Sequence, residues 1–480
     1  MSDALKEVSI NGLYGRHNLR ATLNPQLNII HGKNGSGKTT FLHILANLVD
    51  GDIERFCHID FDSITITTAS GFEISLTQST TGDRTNVSVT VNGETAGSVS
   101  RDESTPPALR LLLRERLGGR PTYLPAFRAV LEATALARGS LPSEVNEKEA
   151  KRIIEHETSL DHKRKGDSYS SRHVYDALAR KTLQCREWFG AFVPIIRFPS
   201  LQEVTEQLDR EVHTAQLGLA ATDRKALTTV FVEVLRAVTK EHSVDQKIDL
   251  KVVLGRVKKY LSELQPTVSG SAIDIYVEMA ALIEQHTDRF ESGDVSIAPI
   301  LSVYERVLQD RAKAQEVAYR RLRQFAMSVN KFFEGKSLEI DISPEPDDRT
   351  TPFHLRRKTF INIGEKRRRL SVMSSGERHI LTLLFSATHM SSGDGIVLID
   401  EPELSLNVEW QRDILSELIR QAGSRQIVAC THAPEIAADH RKVLLEITSS
   451  GSRPSSGTPY AGHVGEHSAA DILIKEIDEE

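Results

Sequence analysis

The most specific chemical feature of the sequence is a glycine-rich run at residues 32–39. It reads Gly-Lys-Asn-Gly-Ser-Gly-Lys-Thr and fits the pattern G-x-x-x-x-G-K-[ST] without mismatch. Glycines let the backbone wrap around a phosphate, and the N–H groups of the loop and of the following helix attract its negative charge. We predict a nucleotide-phosphate loop in which Lys38 reaches the β- and γ-phosphates and Thr39 holds Mg²⁺. The predicted binding residues of this loop are Asn34, Gly35, Gly37, Lys38, Thr39 and Thr40.

A second candidate feature is the apolar run Ile396–Ile399, which ends in the acidic pair Asp400 and Glu401. A short, continuously apolar segment is typical of a strand buried in a parallel sheet. Taken alone, the two carboxylates could simply be solvated at a strand end. Beside a phosphate loop, they are the groups that an ATPase needs, so we predict that Asp400 shares Mg²⁺ with Thr39. Glu401 is then the general base that polarises the attacking water.

Three shorter motifs complete an ordered set. Met373–Glu377 resembles the signature of ABC ATPases, usually written L-S-G-G-Q/E, and departs from it at Met373 and Ser375. Glu403–Asn407 resembles the D-loop, and His432 stands where that family carries its switch histidine. An ordinary Ser-Ser-Gly helix cap and a structural histidine are the alternative interpretations. The signature residues expected at the nucleotide are Ser374, Ser375, Gly376 and Glu377.

Along the chain, the five motifs come in the order 32–39, 373–377, 396–401, 403–407 and 432. This ordered set resembles the ABC ATPase superfamily. The segment Pro402–Asn407 with Trp410 and Gln411 is similar to the branch that contains SMC, RecF and OLD-type ATPases. The resemblance implies ATP and Mg²⁺ as cofactors, hydrolysis of ATP, and His432 as the sensor of the γ-phosphate. It also implies a homo-oligomer built from head-to-tail ATP-sandwich dimers, in which the signature of one chain covers the ATP held by Lys38 of another.

The strands and helices that hold these motifs in place can be predicted from the hydrophobic patterns on either side of them. Residues 1–130 hold short strands around the phosphate loop and a stretch at 59–98 whose alternating Thr, Val and Ile predict an antiparallel meander. Residues 336–480 return to mixed α/β character. We therefore predict an α/β fold in which both chain ends form one ABC ATPase head, made of a P-loop mixed sheet and an antiparallel β subdomain.

The central zone, residues 131–335, has mostly helical periodicity and is predicted to be a helical insertion into the head. Its apolar stripe breaks at Arg311 and Gln315. This pattern favours packed antiparallel helices, with a short coiled-coil arm as an option, over a long heptad rod.

Composition limits the class of protein. The 480 residues carry a formal net charge of −6, with 39% hydrophobic and 26% charged residues, as expected of a globular protein. The three cysteines have no C-x-x-C spacing and cannot form a disulfide framework, so we expect a reducing, cytoplasmic location. No apolar run is long enough to cross a membrane. A membrane-embedded transporter and a wholesale nucleic-acid coat are therefore not expected.

The chain most resembles the stand-alone ATPase subunits of two-gene anti-phage systems of the PARIS and Septu kinds. Its size and the segment Tyr123–Arg128 favour the PARIS kind; Arg128 is a candidate nucleotide contact or a structural salt-bridge partner. No TOPRIM, zinc, HNH or Ser/His/Asp pattern appears in the sequence. The resemblance thus implies partners: a separate nuclease-type effector, held or released by the ATPase, and a phage-encoded trigger.

The alternative is a RecF- or SMC-like DNA-repair ATPase, which needs a nucleic-acid surface. The segment Leu355–Arg369 carries seven basic residues against the single acid Glu365. These residues could contact nucleic-acid phosphates, or they could form a solvated hairpin beside the signature.

Overall fold

The computed structural model describes most of the head and of the central helices. The described residues are 3–32, 35–81, 84–101, 103–127, 144–158, 168–239, 250–264, 278, 281, 285, 298–343, 357–388, 395–437, 440 and 443–446.

Strands in the described residues form three sheets. Their bounds are β1 Leu5–Leu13, β2 His17–Thr22, β3 Leu27–His31, β4 Ser63–Thr68, β5 Glu73–Thr81, β6 Arg84–Val91, β7 Glu94–Ser100, β8 Thr122–Leu124, β9 Lys336–Ile340, β10 Thr359–Ile363, β11 Lys366–Arg368, β12 Val397–Asp400, β13 Ile427–Thr431 and β14 Leu444–Glu446. The sheet orders are β14-β3-β13-β12-β8, β2-β1-β4-β5-β6-β7 and β11-β10-β9.

The five-stranded sheet combines strands from both ends of the chain, and every described pairing within it is parallel. Its central strands are apolar and fully buried, as a parallel sheet covered on both faces requires. The predicted α/β class and the assembly of one head from both chain ends are confirmed. The sheet differs from the predicted mixed type, because each described strand returns to it in the same direction.

Strands β4 to β7 of the six-stranded sheet form the antiparallel meander predicted at residues 59–98, and β1 and β2 extend this sheet. Buried and half-buried residues alternate along β4, so its apolar side chains all face one side. The alternating pattern of the sequence was sufficient to identify this subdomain.

Ten α-helices are described. Their bounds are α1 Lys38–Asp50, α2 Pro107–Arg116, α3 Glu144–Thr158, α4 Ser168–Phe189, α5 Leu201–Thr239, α6 Leu250–Leu264, α7 Ala298–Asn330, α8 Ser375–Ala387, α9 Val408–Ala422 and α10 Pro434–Ala437. Helix α1 packs against β12 and β13 of the parallel sheet, and α5 packs along α7 in the central zone. Within the described part of the chain, no helix has the length and apolar character needed to cross a bilayer.

The break in the apolar stripe of α7 is a buried polar cluster. Arg311 is 2% exposed; its Nε lies 2.5 Å from the carboxylate of Asp223 on α5, and its Nη1 donates to Oε1 of Gln315. The helix therefore continues through the interrupted pattern, and the polar residues pair with each other inside the helical packing.

A second buried ionic cluster joins α1 to the central zone. We call the residues Asp50, Arg114, His156, Glu157 and Arg197 the Asp50 cluster. Nη2 of Arg197 lies 2.7 Å from Asp50 Oδ2 and 2.5 Å from Glu157 Oε1, and Arg114 Nη2 lies 2.7 Å from Asp50 Oδ1. Burial acts to raise the pKa of Asp50, but the charges of Arg114 and Arg197 outweigh it and hold that pKa below its ordinary value.

Replacing Arg197 by Met should destabilise the fold strongly. The change leaves the buried Glu157 carboxylate without its main counter-charge and Asp50 with Arg114 as its remaining arginine partner, which costs about 3–5 kcal/mol. Arg20, whose side chain is 74% exposed beside Glu7, provides the control, and Arg20→Met should cost at most about 1 kcal/mol. Urea unfolding of the two variants compares these costs; equal midpoints would show that the cluster does not hold the central zone to α1.

Candidate nucleotide site

The phosphate loop lies between β3 and α1, as its sequence pattern predicted. Gly35 and Gly37 both adopt left-handed backbone angles, with φ of 79° and 88°, which residues with side chains rarely adopt. No atom lies within 4 Å of the place where a Cβ on Gly35 would stand. The loop therefore has the open, glycine-dependent form that can accept a phosphate. Asn34 lies outside the described residues.

Lys38 and Thr39 are the first two residues of α1, and their side chains form hydrogen bonds with different partners. Nζ of Lys38 donates to the carbonyl oxygen of Gly32 at 2.7 Å, so the side chain folds back over its own loop. Oγ1 of Thr39 donates to Oδ2 of Asp400 at 2.8 Å. Thr40, the next residue of α1, is half-buried. The structure thus brings the loop into direct contact with the carboxylate at the end of β12.

These residues fit a nucleotide phosphate and Mg²⁺. Oγ of Ser36 is buried and has no hydrogen-bond partner among the described residues, as expected for a group that awaits a polar ligand. The hydroxyl of Thr39 and the carboxylate of Asp400 are oxygen ligands of the kind that Mg²⁺ prefers. Thr39 is also exposed, so a ligand can reach its hydroxyl.

Glu401 and His432 meet at the same edge of the sheet. Glu401 has a φ of 49°, an unusual angle for a residue with a side chain, and its N–H donates to the carbonyl oxygen of Cys430 at 2.8 Å. Strained backbone of this kind is concentrated at functional sites. Nδ1 of His432 lies 3.1 Å from Oε1 of Glu401, and the His432 side chain is 48% exposed.

Glu403 is the residue whose contacts the sequence reasoning did not anticipate. Its buried Oε1 accepts hydrogen bonds from Oγ1 of Thr431 at 2.6 Å and from the backbone N–H groups of His432 and Ala433 at 3.1 and 3.2 Å. The sequence placed Glu403 in a D-loop without a role for its side chain. The available signal was a second acid two residues after Glu401, but sequence alone does not show that it turns back to β13.

The predicted signature residues begin α8. Ser374 caps the helix: its Oγ accepts from the N–H of Glu377, whose Oε2 accepts from the N–H of Ser374 at 2.7 Å. Burial acts to raise the pKa of Glu377, but the hydrogen bonds from the Ser374 N–H and from Lys336 outweigh it and lower that pKa. Ser374 and Ser375 are exposed, so the N-terminus of α8 is open to a ligand or another chain.

Gly376 explains why the signature needs a glycine. A Cβ at this position would stand 2.9 Å from the carbonyl oxygen of Ser405, a backbone contact that cannot easily move. Ser405 itself has a φ of 63°. The signature therefore packs against the D-loop of its own chain, whereas the phosphate loop contacts β12 and β13.

Strand β8 places a further segment at this edge of the sheet. It pairs in parallel with β12, with Leu124 level with Ile399, so the residues after it emerge beside Asp400. Phe127 in that segment stacks on Phe189, the last residue of α4, with ring centres 3.9 Å apart. Arg128 lies outside the described residues.

The basic segment before the signature is only partly free. Lys358 is buried and donates to the carbonyl oxygen of Ser343, and Arg367 is ion-paired with Glu339 and Asp341. Leu355 and Arg356 lie outside the described residues. Arg367 is exposed although it is ion-paired, and Arg357, Lys366, Arg368 and Arg369 are exposed as well.

Two protein-family models match the chain. One, described as "AAA domain", matches residues 7–174, and the other, described as "AAA domain, putative AbiEii toxin, Type IV TA system", matches residues 282–439. The matches support an ATP-binding protein of the AAA ATPase type, with ATPase sequence in both halves of the chain. No curated protein matches the chain.

Similar solved structures include three SMC heads. The first is the Smc head domain with an extended coiled coil, bound to the C-terminal domain of ScpA, from Pyrococcus furiosus (TM-score 0.37, 14% identity, 99% of this chain and 99% of that chain). The second is the Smc head domain with a coiled coil and joint from Pyrococcus yayanosii (0.37, 13%, 94% and 97%). The third is an SmcHead bound to the C-winged helix domain of ScpA (0.38, 11%, 93% and 97%). Likeness at these TM-scores and identities does not establish a shared function.

Gly37→Ala should weaken nucleotide binding, because a side chain disfavours the left-handed backbone conformation on which the shape of the phosphate loop depends. Gly93 in the β6–β7 turn has a φ of 83° and provides a matched control. Each substitution should cost about 1–2 kcal/mol of stability through the same backbone strain. Titration with a fluorescent ATP analogue should show weaker binding only for Gly37→Ala; equal affinities in the two variants would contradict this description of the loop.

Proposed function

We propose that this chain binds Mg-ATP and hydrolyses it. The observation that carries the proposal is the 2.8 Å hydrogen bond between Thr39 and Asp400, which joins the phosphate loop to the end of β12. A threonine hydroxyl from the loop and an aspartate from the strand form the Mg²⁺-binding pair of P-loop ATPases. Lys38, on the same turn of helix, is then placed for the β- and γ-phosphates.

The remaining residues supply the chemistry of hydrolysis. Glu401 accepts the proton of the attacking water, and its carboxylate lies 3.1 Å from Nδ1 of His432 at the edge of the sheet. A carboxylate acceptor at Nδ1 of His432 requires a hydrogen on that nitrogen, which leaves Nε2 to face the γ-phosphate. Nε2 can donate to a phosphate oxygen only when it carries a hydrogen as well. When bound, Mg²⁺ would neutralise the negative charge that develops during transfer of the γ-phosphate.

Glu401→Gln should bind ATP with nearly unchanged affinity and hydrolyse it about 10²- to 10⁴-fold more slowly, because an amide cannot accept the proton. The variant should also favour the ATP-bound assembly. Glu409→Gln, an exposed acid in the first turn of α9, is the control and should keep wild-type turnover. Phosphate release under saturating Mg-ATP measures the difference; undiminished turnover in Glu401→Gln would refute Glu401 as the base.

We further propose that two chains share each ATP, head to tail. The N-terminus of α8 presents the exposed Ser374, and large apolar side chains beside it are open to solvent: Val372 is 43% and Val408 is 54% exposed. An exposed apolar surface and a helix N-terminus, which attracts anions, support docking onto the nucleotide face of another chain. Ser374 and Gly376 of one chain then cover the ATP held by Lys38 of the other.

Mixing two inactive variants should restore activity if the sites are shared. Lys38→Met lacks the phosphate lysine and Ser374→Arg blocks the signature, so each should be inactive alone. In a mixed dimer, one site combines the intact loop of one chain with the intact signature of the other. ATPase assays of co-refolded variants should recover a clear fraction of wild-type turnover, and absence of any recovery would count against the two-chain site.

We propose that the ATPase serves an anti-phage defence complex, in which it holds a separate nuclease-type effector and releases it when a phage-encoded trigger is sensed. The matching family model whose name includes a putative AbiEii toxin of a type IV TA system supports a role of this class. The central helices support a role in partner binding, because the Asp50 cluster connects them to the helix that carries the phosphate loop.

A DNA-repair ATPase of the RecF or SMC kind is the second candidate. The observation that favours it is the exposed basic hairpin end formed by Lys366, Arg368 and Arg369, just before α8. Clustered exposed Lys and Arg side chains are the usual contacts to a phosphate backbone.

A pull-down from the native host separates the two candidates. The Glu401→Gln chain with Mg-ATP is the bait, with and without nuclease treatment, and the Lys38→Met chain is the matched control that cannot hold ATP. Recovery of a nuclease-like protein that resists nuclease treatment and depends on Lys38 would support the defence role. Recovery of DNA and repair proteins, lost on digestion, would overturn it in favour of the repair role.

A further inference from the structure

Glu403 is a buried carboxylate that ties two loops of the candidate site together. It is 6% exposed and lies on the loop that leaves β12, yet all its described hydrogen bonds go to the end of β13. The donors are the hydroxyl of Thr431 and the backbone N–H groups of His432 and Ala433. Three donors converge on one carboxylate oxygen, so the contact fixes the relative position of the two loops.

This contact determines where the imidazole of His432 stands. The His432 side chain is half-exposed, so packing alone does not orient it. Its backbone N–H is held by Glu403, and its Nδ1 lies 3.4 Å from Glu403 Oε1 and 3.1 Å from Glu401 Oε1. The ring is therefore placed between two carboxylates, with Nδ1 directed inward and Nε2 outward.

The geometry makes Glu403 an acceptor rather than a counter-charge. Its Oε1 receives the bonds, while Oε2 is buried and has no hydrogen-bond partner among the described residues. Within the part of the chain that the structure describes, the hydrogen-bond and ion-pair partners of this carboxylate include no lysine or arginine. The contact between the two loops therefore depends on the length of the Glu403 side chain and on one accepting oxygen.

We propose that Glu403 is a positioning residue of the ATPase: its carboxylate fixes the loop after β13 so that His432 holds Glu401 through Nδ1 and presents Nε2 to the γ-phosphate. Glu403 does not touch the nucleotide. The inference rests on the proposed ATPase function for its kinetic consequence, but the placement of His432 is a property of the nucleotide-free chain and is measurable without hydrolysis.

Two conservative variants separate reach from charge. Glu403→Gln loses the charge but keeps the length and one accepting oxygen, so it should keep turnover within a few-fold of wild type. Glu403→Asp keeps the charge but is one carbon–carbon bond shorter and cannot meet all three donors. Its kcat should fall by about 10- to 100-fold, the usual cost of removing a residue that orients a catalytic group, with little change in KM for ATP.

Steady-state kinetics of the two variants give the first outcome. Turnover ordered wild type, Gln, then Asp supports the positioning role. The reverse order, with Asp active and Gln inactive, would overturn it, because the charge and not the reach would then matter. Equal activity of all three chains would overturn it as well.

Nitrogen-15 NMR of the histidines in the nucleotide-free chain gives the second outcome. The His432 signal, identified by its loss in His432→Gln, should show hydrogen on Nδ1 in wild type and Glu403→Gln, and a mixture of tautomers in Glu403→Asp. An unchanged signal in Glu403→Asp would contradict the proposal. If the wild-type chain shows no turnover, the ATPase proposal fails, and the NMR result still decides whether Glu403 positions His432.

Discussion

The candidate site depends on the parallel register of β3, β13 and β12. Ile30 is level with Cys430, and Cys430 is level with Asp400, so strands from opposite ends of the chain finish at the same edge. Because the carboxyl ends of parallel strands meet there, the phosphate loop, the acidic pair and His432 converge although hundreds of residues separate them. The Thr39–Asp400 hydrogen bond is the direct result of this register.

Helix α1 links the candidate site to the central zone of the molecule. Its N-terminus carries Lys38 and Thr39, and its C-terminal residue Asp50 lies in the buried cluster with Arg114, Arg197 and Glu157. Buried ion pairs tolerate little separation, because each charge loses its compensation when its partner moves. The cluster therefore forms a rigid connection between the helix that carries Lys38 and Thr39 and the central zone. The Phe127–Phe189 stack supplies a second connection from the end of β8 to the end of α4.

Much of this arrangement could be predicted from local patterns in the sequence. The glycine spacing predicted the loop at 32–39, the alternating Thr, Val and Ile residues predicted the meander, and the apolar run at 396–399 predicted β12. These features depend on near neighbours in sequence, so a single sequence is enough to find them.

What sequence reasoning missed depends on contacts between distant segments. The stripe of α7 looked interrupted at Arg311, because the sequence does not show that Asp223 of another helix pairs with it. Glu403 appeared as one more acid in a loop, since its donors at 431–433 come from the next strand. The predicted domain limits and the roles of the site residues remain predictions, and the basic segment proved partly engaged in internal ion pairs.

The central claim is that the loop and the strand-end carboxylate form one Mg²⁺-dependent ATP site. Its most direct test is the Mg²⁺ dependence of phosphate release by the wild-type chain and by Asp400→Asn, at fixed, saturating ATP. We predict turnover that saturates with Mg²⁺ in the wild type and requires far higher Mg²⁺, with a lower maximum, in Asp400→Asn. Identical Mg²⁺ curves for the two chains, or no turnover in the wild type, would contradict the claim.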